Sequence, residues 1–228
     1  MKSFEENYYC FPDIHGEYDL LVKALNFVYK NNPDGGKIIF LGDYIDRGTQ
    51  NVDVIKTMMN PPEKWEFVCL TGNHEQMFID SYINRTEFYD MKTAREIALF
   101  DEDDLPLPTY DQVHTCIPKH IVEWMYGLKL FHLEGDNVFA HATYDDTISP
   151  EQQSAKEVVW KRYDDWMKFH SKNDKLYLTH GHTPRKHGPV KSPNRVNLDC
   201  GGVFYGRYVI GEYYKDIKGP VNFYEFVK

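Results

Sequence analysis

An apolar, strand-length run that stops at a polar or glycine-bearing turn occurs five times in this chain. Each of those turns carries a carboxylate, amide or imidazole. Tyr8-Tyr9-Cys10-Phe11 leads into Asp13-Ile14-His15-Gly16, and Lys37-Ile38-Ile39-Phe40-Leu41 leads into Gly42-Asp43-Tyr44-Ile45-Asp46-Arg47-Gly48. Phe67-Val68-Cys69-Leu70 leads into Gly72-Asn73-His74-Glu75. The run 136–140 ends at His141, and Leu176-Tyr177-Leu178-Thr179 ends at His180-Gly181-His182-Thr183-Pro184. Short apolar runs bounded by turn residues read as strands. In α/β sheets ligands bind beyond the carboxyl ends of strands. The pattern therefore predicts an α/β fold in which three strands deliver Asp13, His15, Asp43 and Asn73 to one rim, while two later strand ends carry His141 and His182, again residue types that ligate metals.

Taken singly, each motif reads as a turn, a helix cap or a satisfied core histidine. The order and the repeated context of the whole set point instead to metal. Carboxylate, amide oxygen and imidazole suit Mn, Fe or Zn, and no thiol belongs to the group. Asp43 is placed to bridge two ions about 3.5–4 Å apart, a spacing that clamps an in-line displacement at phosphorus and activates water. His74 need not be a ligand. Asp46 is positioned to fix its tautomer, which would make His74 a general acid for the leaving oxygen. Arg47 and Arg162 would grip phosphate oxygens, because a guanidinium matches them through paired hydrogen bonds. His180 reads as a supporting histidine beside His182.

These motifs, extended by Gln76-Met77, Ala142 and Trp160-Lys161-Arg162, resemble those of the metallophosphoesterase superfamily over roughly residues 8–208. The resemblance is strongest to its phosphoprotein phosphatase branch, and within that to the bacteriophage lambda-like serine/threonine phosphatases. It implies an α/β fold of the αββα type, a β-sandwich flanked by helices, with a small helical insertion. It implies two divalent ions, Mn in the first place, with Fe or Zn in relatives. Asp13, His15 and Asp43 would hold the first ion, and Asp43, Asn73, His141 and His182 the second. Asp46 and His74 would form the acid dyad, and Arg47 and Arg162 would bind phosphate.

The chain departs from that pattern twice. Pro12 stands where the family has glycine, so the approach to Asp13 should be bent differently. Ala142-Thr143-Tyr144 replaces the acidic residue that lambda-like members carry after the histidine. The expected function is hydrolysis of phosphomonoesters, with phosphoserine and phosphothreonine proteins as substrates. The alternative is a nucleotide or RNA-end phosphoesterase, such as a dinucleoside tetraphosphatase or a terminal or cyclic phosphate hydrolase. The similar symmetrical tetraphosphatases typically lack the counterpart of Asp46 and end the third motif in Asp rather than Glu75. A non-catalytic binding module is disfavoured because every ligand and acid is present.

A chain of 228 residues suits one domain with a sizeable core. Helices are expected over about 17–29, 52–59 and 74–82, the last two set by Pro61-Pro62 and by the third motif. Residues 86–127 carry no ligand motif and read as an inserted helical cap. Within it Asp101-Glu102-Asp103-Asp104 forms a solvated loop, and a helix spans about 110–126 with Pro118 placed to kink or split it. No apolar run approaches ~18 residues, so no membrane span or membrane partner is expected. The first six residues lack a signal-peptide core, and the four cysteines have no metal or redox spacing. A cytoplasmic setting follows, the host cytoplasm if the chain is phage-encoded. The net charge of -9 disfavours non-specific duplex binding. Tyr144, Tyr163 and Tyr205 lie near motif segments and are expected to pack at strand ends rather than stack on a substrate ring. Arg185-Lys186-His187-Gly188-Pro189-Val190-Lys191 directly follows the last ligand motif and reads as a solvated loop with an optional role in substrate entry.

Overall fold

The computed structural model describes residues 7–102, 105–162 and 175–228. In chain order the first half runs β1 (Asn7–Phe11), α1 (Tyr18–Asn31), β2 (Gly36–Phe40), α2 (Asn51–Met59), β3 (Trp65–Cys69) and α3 (Asn73–Asn84). Three short helices follow: α4 (Met91–Ile97), α5 (Val113–Cys116) and α6 (Lys119–Tyr126). The second half runs β4 (Phe131–Glu134), β5 (Asn137–Ala140), α7 (Ala155–Trp160), β6 (Tyr177–His180), β7 (Val190–Ser192) and β8 (Arg195–Asn197). It closes with α8 (Gly202–Tyr205), β9 (Arg207–Tyr214) and β10 (Asn222–Val227).

The strands form two mixed five-stranded sheets, ordered β10-β9-β1-β2-β3 and β4-β5-β6-β8-β7. β1, β2 and β3 are parallel, as are β5, β6 and β8. Successive strand side chains face opposite ways, and the core divides accordingly. Tyr9, Phe11, Ile38 and Phe40 pack against Leu20, Leu21, Ala24 and Val28 of α1 and Val54, Ile55 and Met58 of α2. Their neighbours Tyr8, Cys10, Ile39 and Leu41 point the other way, onto Phe139, Val196, Leu198 and Tyr213. The second sheet turns Val138, Ala140 and Leu178 outward onto Val158 and Val159 of α7. Helix, sheet, sheet, helix is thus dictated by two-residue alternation in the central strands.

Local chemistry ends the elements where expected. α1 stops before Pro33-Asp34-Gly35-Gly36, and Gly35 has φ +99° with a Cβ-blocking contact to the Lys64 carbonyl. The single helix expected over 110–126 is instead two, α5 and α6, separated at Ile117 and Pro118, whose backbones are extended. Proline cannot donate to the preceding turn, and it pushes the residue before it out of helical conformation. Helices α4 to α6 join the main apolar cluster through Ala94, Ile97, Val113, Ile117, Ile121 and Met125. Residues Asp103, Asp104 and Tyr163, and the first six, lie outside the described residues. No described helix is long and apolar enough to cross a membrane.

Candidate metal centre

The parallel strands of both sheets deliver their carboxyl ends to one place. The loop after β1 brings Asp13 and His15, that after β2 Asp43, Asp46 and Arg47, and the start of α3 Asn73 and His74. The ends of β5 and β6 bring His141 and His182. Apart from Arg47, these side chains are all buried. Arg162, just after α7, is exposed. Its charge nonetheless reaches His182 and Asp199, lowering both.

One oxygen is central. Asp43 Oδ2 lies 3.4 Å from His15 Nε2, 3.5 Å from His141 Nε2 and 4.0 Å from His74 Nε2. Two metal-competent groups share this carboxylate: His15, Asp43 and His74 on one side, and Asp43, His141 and His182 on the other. Asn73 Oδ1 completes the second side, 3.0 Å from His141 Nε2 and 2.9 Å from His182 Nδ1. Asp43 Oδ1 is occupied separately, accepting the His74 N–H at 3.0 Å. The Asp13 carboxylate accepts the His182 N–H, with both oxygens at 3.1 Å, and its Oδ1 lies 4.0 Å from His141 Nδ1.

The donor set fits a cation. His15 Nδ1 donates to the Ile45 carbonyl at 2.8 Å and His141 Nδ1 to the Leu41 carbonyl at 2.9 Å. A carbonyl only accepts, so these bonds fix the tautomer and leave each Nε2 lone pair facing the cluster. Burial, reinforced by Arg47 and by His182 respectively, holds His15 and His141 well below the usual imidazole range, so both rings offer a neutral lone pair. Burial also pushes Asp13 and Asp43 well up, aided by Asp199 at Asp13 and by Glu75 at Asp43. Buried carboxylates and converging lone pairs without a compensating proton are what a divalent ion relieves.

The backbone is bent to make this possible. His15, Asp43, Asp46, Arg47 and His182 all have positive φ, between 49° and 72°. Left-handed backbone in non-glycine residues is costly and persists where the surroundings impose it. Glu75 is the main constraint at the Asp43 loop. Its fully buried carboxylate accepts the N–H groups of Asp43, Tyr44 and Gly72 at 2.9, 2.8 and 2.9 Å, and that of Ile45 at 3.4 Å. Gly72 and Gly181 must be glycine, since a Cβ on either would come within 2.1 Å of an oxygen of Asp43 or Asp13. Pro12 is accommodated: its carbonyl accepts the Tyr208 hydroxyl at 2.9 Å, and Ile14 and His15 both donate to the Asp43 carbonyl.

His74 Nδ1 sits 2.6 Å from Asp46 Oδ2. Burial, then Arg47, lowers His74 to about 4, while burial, then Asp90, raises Asp46 to about 7. Arg47 donates to His15 Nε2, and its own N–H donates to Asp90 Oδ2 at 3.1 Å. Burial, then Arg162, lowers His182 to about 4. His180 faces away, accepting from the buried Arg195 at 2.8 Å.

Several participants escaped sequence reasoning. Asp199 is a further buried carboxylate here, raised to about 6 by burial and drawn back by the Gly201 N–H, Arg47, Arg185 and Arg162. Its signal was available, since it too follows a strand and precedes two glycines. The segment 86–127 is not remote from the site: Asp90 caps α4 and anchors Arg47, and the Tyr89 ring lies 5.0 Å from that of His74. Tyr144 packs in the core as expected, but Tyr205 is exposed. Lys191 lies in β7 over the Phe223 ring, apart from Lys186 over Tyr205.

The profile of the calcineurin-like phosphoesterase family matches residues 7–209. The asymmetrical bis(5'-nucleosyl)-tetraphosphatase PrpE of Anoxybacillus flavithermus is 30% identical over 86% of this chain and 85% of its own length. Serine/threonine-protein phosphatase 2 of Salmonella typhimurium is 32% identical over 66% of this chain and 65% of its own. Among solved structures, that of a putative diadenosine tetraphosphatase superposes with a TM-score of 0.66 at 15% identity, covering 100% of this chain and 96% of that one.

Proposed function

The chain belongs to the calcineurin-like phosphoesterase family, and we propose that it is a two-metal hydrolase of phosphomonoesters, of the serine/threonine protein phosphatase type. The observation that carries this reading is the buried His74–Asp46 pair at 2.6 Å. A serine or threonine alkoxide is a poor leaving group, and a positioned acid is what its departure needs. Asp13, His15 and Asp43 would hold one ion and Asp43, Asn73, His141 and His182 the other, with Mn the expected metal and Fe or Zn compatible with the same donors. Two such ions would supply Lewis acidity that activates water and neutralises phosphate charge.

The chain's own residues do the rest. Arg47 and Arg162 hold the non-bridging phosphate oxygens. Asp46 keeps the His74 ring oriented, and His74 Nε2 delivers the proton to the departing oxygen. Glu75 holds the Asp43 loop so that these groups do not have to move as charge develops. Residues 1–228 act as one domain, and 86–127 serves as a cap that contributes Tyr89 and Asp90 to the rim. The four unpaired cysteines support a cytoplasmic setting.

A second reading, hydrolysis of nucleoside polyphosphates, is favoured by a different observation. The PrpE-type relative spans more of the chain than the protein phosphatase does. The deciding measurement is kcat/KM of Mn-loaded protein on phosphoserine and phosphothreonine peptides, diadenosine tetraphosphate and phosphorylated RNA ends. Phosphopeptides are expected to lead. Undiminished hydrolysis in excess chelator, with metal content confirmed near zero, would overturn the two-metal scheme.

A further inference from the structure

The mouth of the cluster is edged by aromatic rings that this hydrolytic scheme does not use. α8 is a single helical turn bracketed by two glycines in the left-handed region, Gly201 at φ +69° and Gly206 at +66°. It presents Phe204 and Tyr205 to solvent, 53% and 48% exposed. A cation stands over each ring. Arg47 Cζ lies 5.3 Å from the Phe204 centroid, and Lys186 Nζ lies 5.9 Å from that of Tyr205. Arg47 also reaches His15, so the rings begin where the phosphate-gripping groups end.

This ledge is tied firmly to the site. Asp199 Oδ1 accepts the Gly201 N–H at 2.8 Å, and the Asp199 carbonyl accepts the Arg185 N–H at 2.9 Å. A Cβ on Gly201 would approach the Tyr205 ring to 2.6 Å and Pro184 to 3.3 Å, so the ring lies close over the backbone beside the last ligand loop. The N–H groups of Phe204, Tyr205 and Gly206 are all used inside the turn, by the carbonyls of Gly201 and Gly202. The ledge therefore offers ring faces and cations rather than the free amides that an extended peptide would pair with.

We propose that Phe204 and Tyr205 form a stacking subsite for a nucleobase, with Arg47 and Lys186 holding the phosphates that join it to the metal centre. The chain would then take nucleoside polyphosphates beside phosphoproteins, an extension that rests on the phosphoesterase reading above. Every base has a π face that stacks on an aromatic side chain, and adjacent guanidinium or ammonium groups add to it. The reaction is hydrolysis: the oxygen of one water bonds to phosphorus, one phosphoanhydride P–O bond breaks, and the displaced phosphate oxygen leaves with a proton. Tyr89, whose ring lies 5.0 Å from that of His74, is not part of the ledge.

The test compares ligands that differ only in the base. Calorimetry on the Mn-loaded protein should show adenosine 5′-(β,γ-methylene)triphosphate binding about tenfold tighter than ribose 5′-(β,γ-methylene)triphosphate, which lacks only the base, a difference of ~1.4 kcal/mol. In Phe204→Leu combined with Tyr205→Leu that ratio should fall to about one, whereas Tyr89→Leu should preserve it. Steady-state assays should show the same change in the ratio of KM for diadenosine tetraphosphate to KM for tripolyphosphate. Equal affinity for the two ligands in the parent would overturn the ledge, and so would a ratio that survives the double variant. If phosphopeptides are hydrolysed with metal while the base confers no advantage, the ledge alone falls. If nothing is hydrolysed, the phosphoesterase reading falls, and the binding ratio still decides the ledge.

Discussion

His74 Nδ1 and Asp46 Oδ2 are 2.6 Å apart, with both side chains buried. Burial lowers the imidazole to about 4 and raises the carboxyl to about 7. His74→Asn is expected to lower kcat on alkyl phosphates by about 10²–10⁴, and Asp46→Asn should act in the same direction. The loss should be smaller on aryl phosphates, whose leaving groups need little protonation, and metal content should be retained. An equal loss across leaving groups would show that the pair is structural.

Asp43→Asn removes the carboxylate whose Oδ2 both imidazole groups face. Metal analysis of the purified variant should find both sites depleted, not one. Hydrolysis should fall to near background, as chelation should also make it do in the parent, and Mn should restore only the parent. Retention of one tightly bound ion would argue that the two groups are independent.

Glu75 tests how far geometry depends on support from outside the ligand set. Glu75→Gln would turn an amide NH₂ toward the N–H donors of Asp43, Tyr44, Ile45 and Gly72. Loss of such a partner lowers metal affinity about 10–100-fold, and unsatisfied buried donors cost about 1–3 kcal/mol each. Glu75→Asp keeps the charge with a shorter reach and should fall in between. Calorimetric metal titration and urea unfolding would separate the two effects, and parent-like metal affinity in Glu75→Gln would remove Glu75 from the positioning role.

Far from the site, Glu212 offers a clean pH signature. Burial acts to raise it, but donors from Asn222, Asn7, Tyr224 and Tyr9 outweigh that, and its pKa is held below the ordinary 4.5. A carboxyl lowered on folding stabilises the protein above its unfolded pKa, and the contribution is lost as pH falls through the folded value. The stability gap between the parent and Glu212→Gln should therefore be full above pH 4.5 and close below it. Urea midpoints measured across that range would check it; a gap independent of pH would show that shape rather than charge matters at this position.

The strands, and the candidate metal-binding side chains at their ends, were legible because their signals are local. Ile38, Ile39, Phe40 and Leu41 show their apolar character and their stop at Gly42 within a few residues. What could not be read was reach across the fold. Nothing near Glu75 in the chain announces that it binds the loop after β2, some 30 residues earlier. Asp90 and Tyr89 sit in a stretch without ligand motifs and matter only because α4 folds back onto Arg47 and His74. Asp199 was legible in principle but had no partner motif to draw attention to it. The split between α5 and α6 followed from one proline, and the exposure of Tyr205 followed from two glycines whose left-handed backbone the sequence only permits.

The left-handed backbone of the site residues has an evolutionary corollary. Arg47, at φ +71° and exposed, contributes little to the core while holding a conformation that costs a non-glycine residue ~1–2 kcal/mol. Arg47→Gly should therefore raise Tm even as it weakens phosphate binding, a change that thermal unfolding and KM would register together. A lineage released from selection for hydrolysis would be expected to drift toward glycine at such positions, gaining robustness as it loses chemistry. Arginine persisting there would then mark a chain still under demand for its reaction.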